Sequence, residues 1–272
     1  MNRSSHAARP SPAATTAPAT RGRPCLLAAA ATLAMLGCTP ALADVINFDS
    51  FAPDIYSSGD TLHASGYKLL FLADPTSAAN GWSGGVGAIL NGGVASSCDI
   101  LACPSGASGN YLATLNDGGV NFSRGDAQGF RLSGFDYAFI APVSGMPEMN
   151  WGQLQLSGTL RDGSVINTSL NFPGQDASGN YRFQAASLLN GFSNYIFTGL
   201  TINACIYNDS NDCVNSLDAP AFNQAQFALD NINISAVPEP STYLMLLAGL
   251  GAIGMLSRRP SGKFAAATVQ GA

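Results

Sequence analysis

Residues 151–172 read WGQLQLSGTLRDGSVINTSLNF. Apolar side chains alternate on both sides of a polar turn: Leu154, Leu156 and Leu160 before it, Ile166, Leu170 and Phe172 after it. Successive side chains of a strand point to opposite faces, so a strand pair buries one face only if its register aligns the apolar sets. A two-residue turn at Asp162-Gly163 pairs even positions with odd ones and sends the two apolar faces to opposite sides. A three-residue loop, Arg161-Asp162-Gly163, pairs Leu156 with Thr168 and Leu154 with Leu170, and the apolar sets coincide. Gly163 then occupies the left-handed position of a G1-bulge turn. The outward face of this hairpin carries Trp151, Gln153 and Gln155.

The rest of the middle of the chain repeats this grammar. Glutamate is confined to Glu148 and Glu239, and no 12-residue window shows a helical apolar period. Short apolar runs alternate with Gly, Asn, Asp and Ser clusters: VINFDSF, YKLLFLA, GVGAIL, YLATLN, GFRLSGFDYAFIA, YRFQAA, IFTGLTINACIY and QFALDNINIS. That pattern predicts an all-β fold, an antiparallel β-sandwich. In the last run Phe227 and Leu229 share one phase while Ile232 and Ile234 share the other, and a bulge at Asp230-Asn231 returns both pairs to the core.

Both ends differ from this body. Residues 1–43 hold Arg3, Arg9, Arg21 and Arg23 and no acid, then an apolar run from Leu26 to Leu36 and the small-residue site Ala41-Leu42-Ala43. This predicts a secretory signal peptide cut after Ala43. Leu36-Gly37-Cys38 offers lipoprotein processing at Cys38 as a rival reading, with a poor fit before Gly37. Residues 44–236 remain as one β-sandwich domain, long enough to bury roughly 70% of its unfolded surface. From Asp44 to Glu239 there are 17 acidic residues against Lys68, Arg124, Arg131, Arg161 and Arg182, a net charge of −12. Phosphate backbones are bound by clustered Lys and Arg, so nucleic acid is excluded as a partner class.

Cys98, Cys103, Cys205 and Cys213 follow the leader. An even number in an exported domain predicts disulfides, with the local pairs Cys98–Cys103 and Cys205–Cys213 as candidates among three connectivities. Zinc would need closer Cys spacing or more histidine than His63 alone.

Near the other end, residues 237–260 read VPEPSTYLMLLAGLGAIGMLSRRP. The uncharged run from Ser241 to Ser257 is 17 residues, the lower limit for a membrane-spanning helix. Arg258, Arg259 and Lys263 beyond it would stay cytoplasmic, leaving 261–272 as a short cytoplasmic tail and the exported body outside. Gly249, Gly251 and Gly254 permit close helix contacts. Pro238-Glu239-Pro240, an apolar helix and Arg258-Arg259, in that order, resemble the PEP-CTERM sorting signal of Gram-negative bacteria. The resemblance implies recognition by a membrane protease of the exosortase type and cutting near the motif. It also implies export across the inner membrane, a transient anchor, and a setting in the extracellular matrix, exopolysaccharide layer or biofilm. The prolines keep the motif extended and stop the helix from propagating upstream. The chain continues for 13 residues past Arg259, unlike such signals, so a retained anchor stays open beside release.

Gln226-Phe227-Ala228-Leu229-Asp230 resembles a QFxxD group among such exported proteins, and FALDNINI is similar to the last strand of carbohydrate-binding jelly rolls. The jelly-roll resemblance implies a structural calcium ion shared by the first and last strands, here through Asp49 and Asp230; no other cofactor is required. Catalytic readings are weak. Gly81-Trp82-Ser83-Gly84-Gly85 matches a nucleophile elbow, but His63 lies upstream, and a His63–Asp74–Ser83 triad leaves no room for the supporting fold. A glycosidase needs two opposed carboxylates, and only Glu148, near Trp151, draws attention. The expectation is therefore a non-enzymatic structural or adhesive envelope protein. The alternative is a carbohydrate-binding module in which Trp82 and Trp151 (with Tyr137), beside Gln153 and Gln155, meet sugar rings.

Overall fold

The computed structural model describes residues 43–81, 83–93, 102–107, 109–187, 191–215, 225–237 and 240–257. Its strands run β1 (Ala43–Ile46), β2 (Asp54–Tyr56), β3 (Thr61–Ala64), β4 (Tyr67–Leu72), β5 (Gly87–Asn91), β6 (Asn110–Thr114) and β7 (Gly119–Arg124). They continue with β8 (Phe130–Phe139), β9 (Gly152–Leu160), β10 (Val165–Asn171), β11 (Gln184–Ser187), β12 (Phe197–Tyr207), β13 (Cys213–Val214) and β14 (Phe227–Ala236). The fold is mostly β and antiparallel, as expected.

The opening hairpin forms in the predicted register, with Leu156 opposite Thr168 and Leu154 opposite Leu170. Leu160 donates its N–H to the Ser164 carbonyl at 2.8 Å, and Gly163 has φ +84°. The Asp162 carboxylate accepts the hydroxyl and the N–H of Ser164 and is held below the usual carboxylate pKa range by those bonds.

Two layers follow from the ladders. One runs β3-β4-β7-β12-β9-β10; the other runs β2-β5-β6-β14-β8-β11, with β1 on β14. They join where Phe197 of β12 pairs with Phe130 of β8, which gives the sandwich a barrel-like closure. Between them lies the main core: Leu69, Phe71, Phe122, Leu154, Leu156 and Ile202 from one layer, Ile89, Leu112, Leu132, Phe139, Leu229 and Ile234 from the other. A smaller cluster around Tyr111, Ala138, Ile140 and Ala228 packs with Phe183.

The expected break in the last strand is present. The β14–β8 register shifts after Asp230, Asn231 has φ +47°, and Phe227, Leu229, Ile232 and Ile234 are all buried. Other boundaries differ from the sequence reading. VINFDSF ends its ladder at Ile46 and turns, and β2, β3, β7 and β13 lie outside the predicted runs. A five-residue helix, α1 (Pro75–Ala79), starts on Asp74, whose carboxylate accepts the N–H groups of Thr76 and Ser77.

Residues 1–42 of the expected leader lie outside the described residues, and Ala43, its expected last residue, is the first of β1. At the other end, α2 (Pro240–Ser257) has proline at its first position, as helix starts favour. The expected helix over 241–257 is there; among the described residues no helix is long and apolar enough to cross a membrane. Pro238, Glu239, Arg258, Arg259 and the 261–272 tail lie outside the described residues.

Candidate functional site

The outward face of the β10-β9-β12-β7 layer follows from the alternation that buries its other side. On β9, Leu154 and Leu156 are fully buried, so Gln153, Gln155, Ser157 and Thr159 face away from the core. On β12, burial of Leu200, Ile202 and Ala204 turns Thr201 and Asn203 outward; on β7, burial of Val120 and Phe122 does the same for Asn121 and Ser123. On edge strand β10 the outward residues are Asn167, Ser169 and Asn171.

Cross-strand registers assemble these into rows. Ser169 lies opposite Gln155, which lies opposite Asn203; Asn167 lies opposite Ser157, then Thr201, then Asn121. Asn203 donates to Gln155 Oε1 at 3.4 Å, and Asn121 donates to Thr201 Oγ1 at 2.9 Å. At the end of the face the Tyr207 hydroxyl reaches Gln153 Oε1 at 3.4 Å and Asn171 Oδ1 at 3.2 Å. A shallow, open depression of about 480 Å³ on these strands is lined by Gln153, Gln155, Leu156, Ser157, Asn167, Thr168 and Ser169. No lining residue is ionisable. Amides and hydroxyls both donate and accept, which suits a neutral polyhydroxylated ligand, and the lining offers no positive charge to a phosphate or carboxylate.

Gln153 and Gln155 therefore stand where the hairpin placed them. Trp151 does not join them: its ring is half-buried against the core, and its indole N–H donates to the Pro147 carbonyl at 3.2 Å. This corrects its expected outward placement: the Trp151 carbonyl still accepts the Tyr207 N–H at 2.8 Å, but the large ring gains more from the core edge than from solvent. Trp82 lies outside the described residues. Tyr137 is buried, with its hydroxyl donated to the Asn171 carbonyl at 2.8 Å. Asn203, Thr201, Asn121 and Tyr207 escaped the sequence reading, although the alternation of INACIY and VNFS carried the signal.

Asp49 and Asp230 are brought together. Burial first, then the carboxylates of Asp49 and Asp136, push the Asp230 carboxyl up to about 6. Asp49 Oδ1 accepts the Asn110 N–H at 3.0 Å, and Asn231 Nδ2 donates to Asp136 at 2.8 Å. Among the described residues no group of three or more His, Cys, Asp or Glu is arranged to hold a metal ion. Calcium takes six to eight oxygens, so these carboxylates would need backbone carbonyls or waters beside them to hold it.

A disulfide joins Cys205 of β12 to Cys213 of β13, one of the two candidate pairs. Cys103 is also disulfide-bonded; its candidate partner Cys98 lies outside the described residues. The nucleophile-elbow reading of 81–85 meets the wrong surroundings: α1 precedes the loop and β5 follows it, the reverse of strand then helix. Asp74 of the triad reading is committed to capping α1. Glu148 is exposed in the loop between β8 and β9.

Among solved structures, TmCBM61 in complex with beta-1,4-galactotriose is similar at 9% identity, covering 64% of this chain and 90% of that one, with a TM-score of 0.30. A cyclase from Fischerella sp. TAU is similar at 10% identity, over 72% of this chain and 98% of that one, TM-score 0.35. The CBM51-2 and INT domains from Clostridium perfringens ZmpB are similar at 8% identity, over 71% of this chain and 40% of that one, TM-score 0.27. Likenesses this distant say nothing of function. No curated protein matches the chain.

The body is thus an antiparallel β-sandwich. Residues 236–259 match the PEP-CTERM protein-sorting motif, and the chain carries that motif directly after β14. The motif implies an exported protein, sorted to the cell envelope by an exosortase.

Proposed function

We propose that the sandwich is a non-catalytic matrix protein of a Gram-negative cell surface, which adheres to neutral exopolysaccharide, as in a biofilm, through the outward face of β10-β9-β12-β7. The observation that carries this reading is the uncharged amide and hydroxyl lining of the depression at Gln153, Gln155, Ser157, Asn167 and Ser169. On a domain with a strongly acidic balance, a depression lined without a carboxylate spares neutral sugars competition from bound cations. The hand-off between Asn203 and Gln155 holds the side chains in place before a sugar arrives, which lowers the ordering cost of binding.

The test is affinity electrophoresis of the exported domain through neutral and anionic polysaccharides. Retardation by a neutral glycan, weakened about tenfold in Gln155→Ala with an unchanged melting curve, supports the reading. Equal mobility in every gel refutes it. Release of reducing ends from the same polysaccharides would favour a hydrolase instead, with Glu148→Gln as the first variant to assay.

Processing is proposed to follow the motif. The mature protein begins at Asp44 and ends between Ala236 and Pro240, which mass spectrometry of the secreted termini reads directly. A chain still reaching Ala272 would mean a retained anchor. Calcium at Asp49 and Asp230 remains a proposal supported by the crowding of carboxylates there. It requires that EDTA lower the melting temperature and that calcium restore it.

A further inference from the structure

Among the described residues β10 pairs only with β9, and its other edge differs from the other edges of the sandwich. Natural sheets guard exposed edges by keeping them short or by placing charge, proline or a bulge on them. Edge strand β2 spans three residues and begins with Asp54; β3 spans four and sets His63 beside Lys68; β11 spans four. β10 spans seven residues, VINTSLN, with no charge, no proline and no register shift against β9. Its inward residues Ile166, Thr168 and Leu170 are only half-buried, whereas Leu154 and Leu156 beside them on β9 are fully buried. Val165 is 53% exposed.

The backbone of that edge has a definite polarity. Ser164 accepts the Leu160 N–H and Phe172 donates to Gly152, so the even-numbered residues of β10 turn their backbone groups to β9. Val165, Asn167 and Ser169 therefore present theirs to the side away from β9, where the Asn171 carbonyl already accepts the Tyr137 hydroxyl at 2.8 Å.

We propose that this edge is a homotypic seam, at which β10 of a second copy of this chain adds in antiparallel fashion about a two-fold axis through Thr168. In that register Asn167 faces Ser169 of the second copy and the two exchange backbone hydrogen bonds in the closely spaced manner, while Val165 faces Asn171 at each end. Ile166 faces Leu170, so the half-buried apolar residues cover each other, while outward Asn167 meets outward Ser169. The same chain satisfies both sides, as an isologous contact requires. No charge opposes itself across the seam, although the molecule as a whole is acidic. The outward faces of the two copies then become one continuous sheet surface; the pairing does not depend on that surface binding sugar.

Sedimentation velocity of the full chain in non-ionic detergent, over a concentration series, tests the seam with paired variants. Wild type is expected to show a concentration-dependent dimer. Asn167→Lys with Ser169→Lys sets lysine against lysine across the seam, and self-association should weaken about tenfold or more. Asn167→Lys with Ser169→Asp sets lysine against aspartate and should restore it. Thr168→Cys should cross-link to itself on mild oxidation, since residues facing across the axis lie within disulfide reach. Both double variants change exposed side chains that make no bond to β9, so circular dichroism melts should match wild type. A wild type that stays monomeric throughout, or a dimer indifferent to the lysine pair, overturns the proposal.

Discussion

Asp44 lies opposite Ile234 in the antiparallel ladder between β1 and β14. The expected first residue of the mature chain is thus held against the last strand before the sorting motif. Cleavage after Ala43 removes the pairing of Ala43 with Ser235 and leaves Asp44–Ile46 in place.

The anchor of that ladder is Ile46, which is fully buried. Ile46→Ala should cost about 2–5 kcal/mol of unfolding free energy, read as a lower urea midpoint at unchanged slope. A loss below about 0.5 kcal/mol would mean that β1 contributes little to the domain.

Stability should also depend on pH through Asp230. Its carboxyl is raised in the fold to about 6, by burial and by Asp49 and Asp136, from an ordinary value of 3.8. A raised carboxyl pKa means the folded state binds the proton more tightly. Its contribution is therefore fully present below about 4 and is lost as pH rises through about 6. Asp230→Asn should raise the melting temperature at pH 7, by about 2–4 °C, and flatten the profile between pH 4 and pH 7. A calcium-loaded site predicts the opposite sign for the same variant at neutral pH, so thermal melts with calcium and with EDTA separate the two.

Removal of the Cys205–Cys213 bridge, which closes a sequence separation of eight residues, should cost about 2.5 kcal/mol by loop entropy. Cys213→Ser compared with wild type in denaturant, each with and without reductant, measures it. Loss of Cys205–Cys213 should leave sugar retardation intact, because neither cysteine lines the depression.

Tight backbone approaches give a further prediction. A Cβ at Gly158 would overlap the Phe197 ring, and Phe197 is fully buried at the junction of the layers. Gly158→Ala should destabilise by about 1–3 kcal/mol. Gly163→Ala, which meets no neighbour but sits at φ +84°, should cost less than the core clash while lowering hairpin stability.

Much of this molecule was legible in local patterns. The β9–β10 register, the three-residue loop with Gly163 and the phase break at Asp230-Asn231 each depend on residues within a few positions of one another. β7 was overlooked because its alternation, Val120 and Phe122, spans barely two inward positions after a glycine pair. Trp151 was misplaced because a large ring at a strand end follows packing rather than alternation.

The sequence by itself determined the sheet-forming periodicity, the turn chemistry and the sorting motif over residues 236–259, since each is written in neighbouring residues. Only tertiary structure decided that Asn203 meets Gln155 and that Asp136 crowds Asp230. Those partners stand 48 and 94 positions apart, and their meeting is set by which strands pair across the whole sheet, a non-local choice governed by the burial of the shared core.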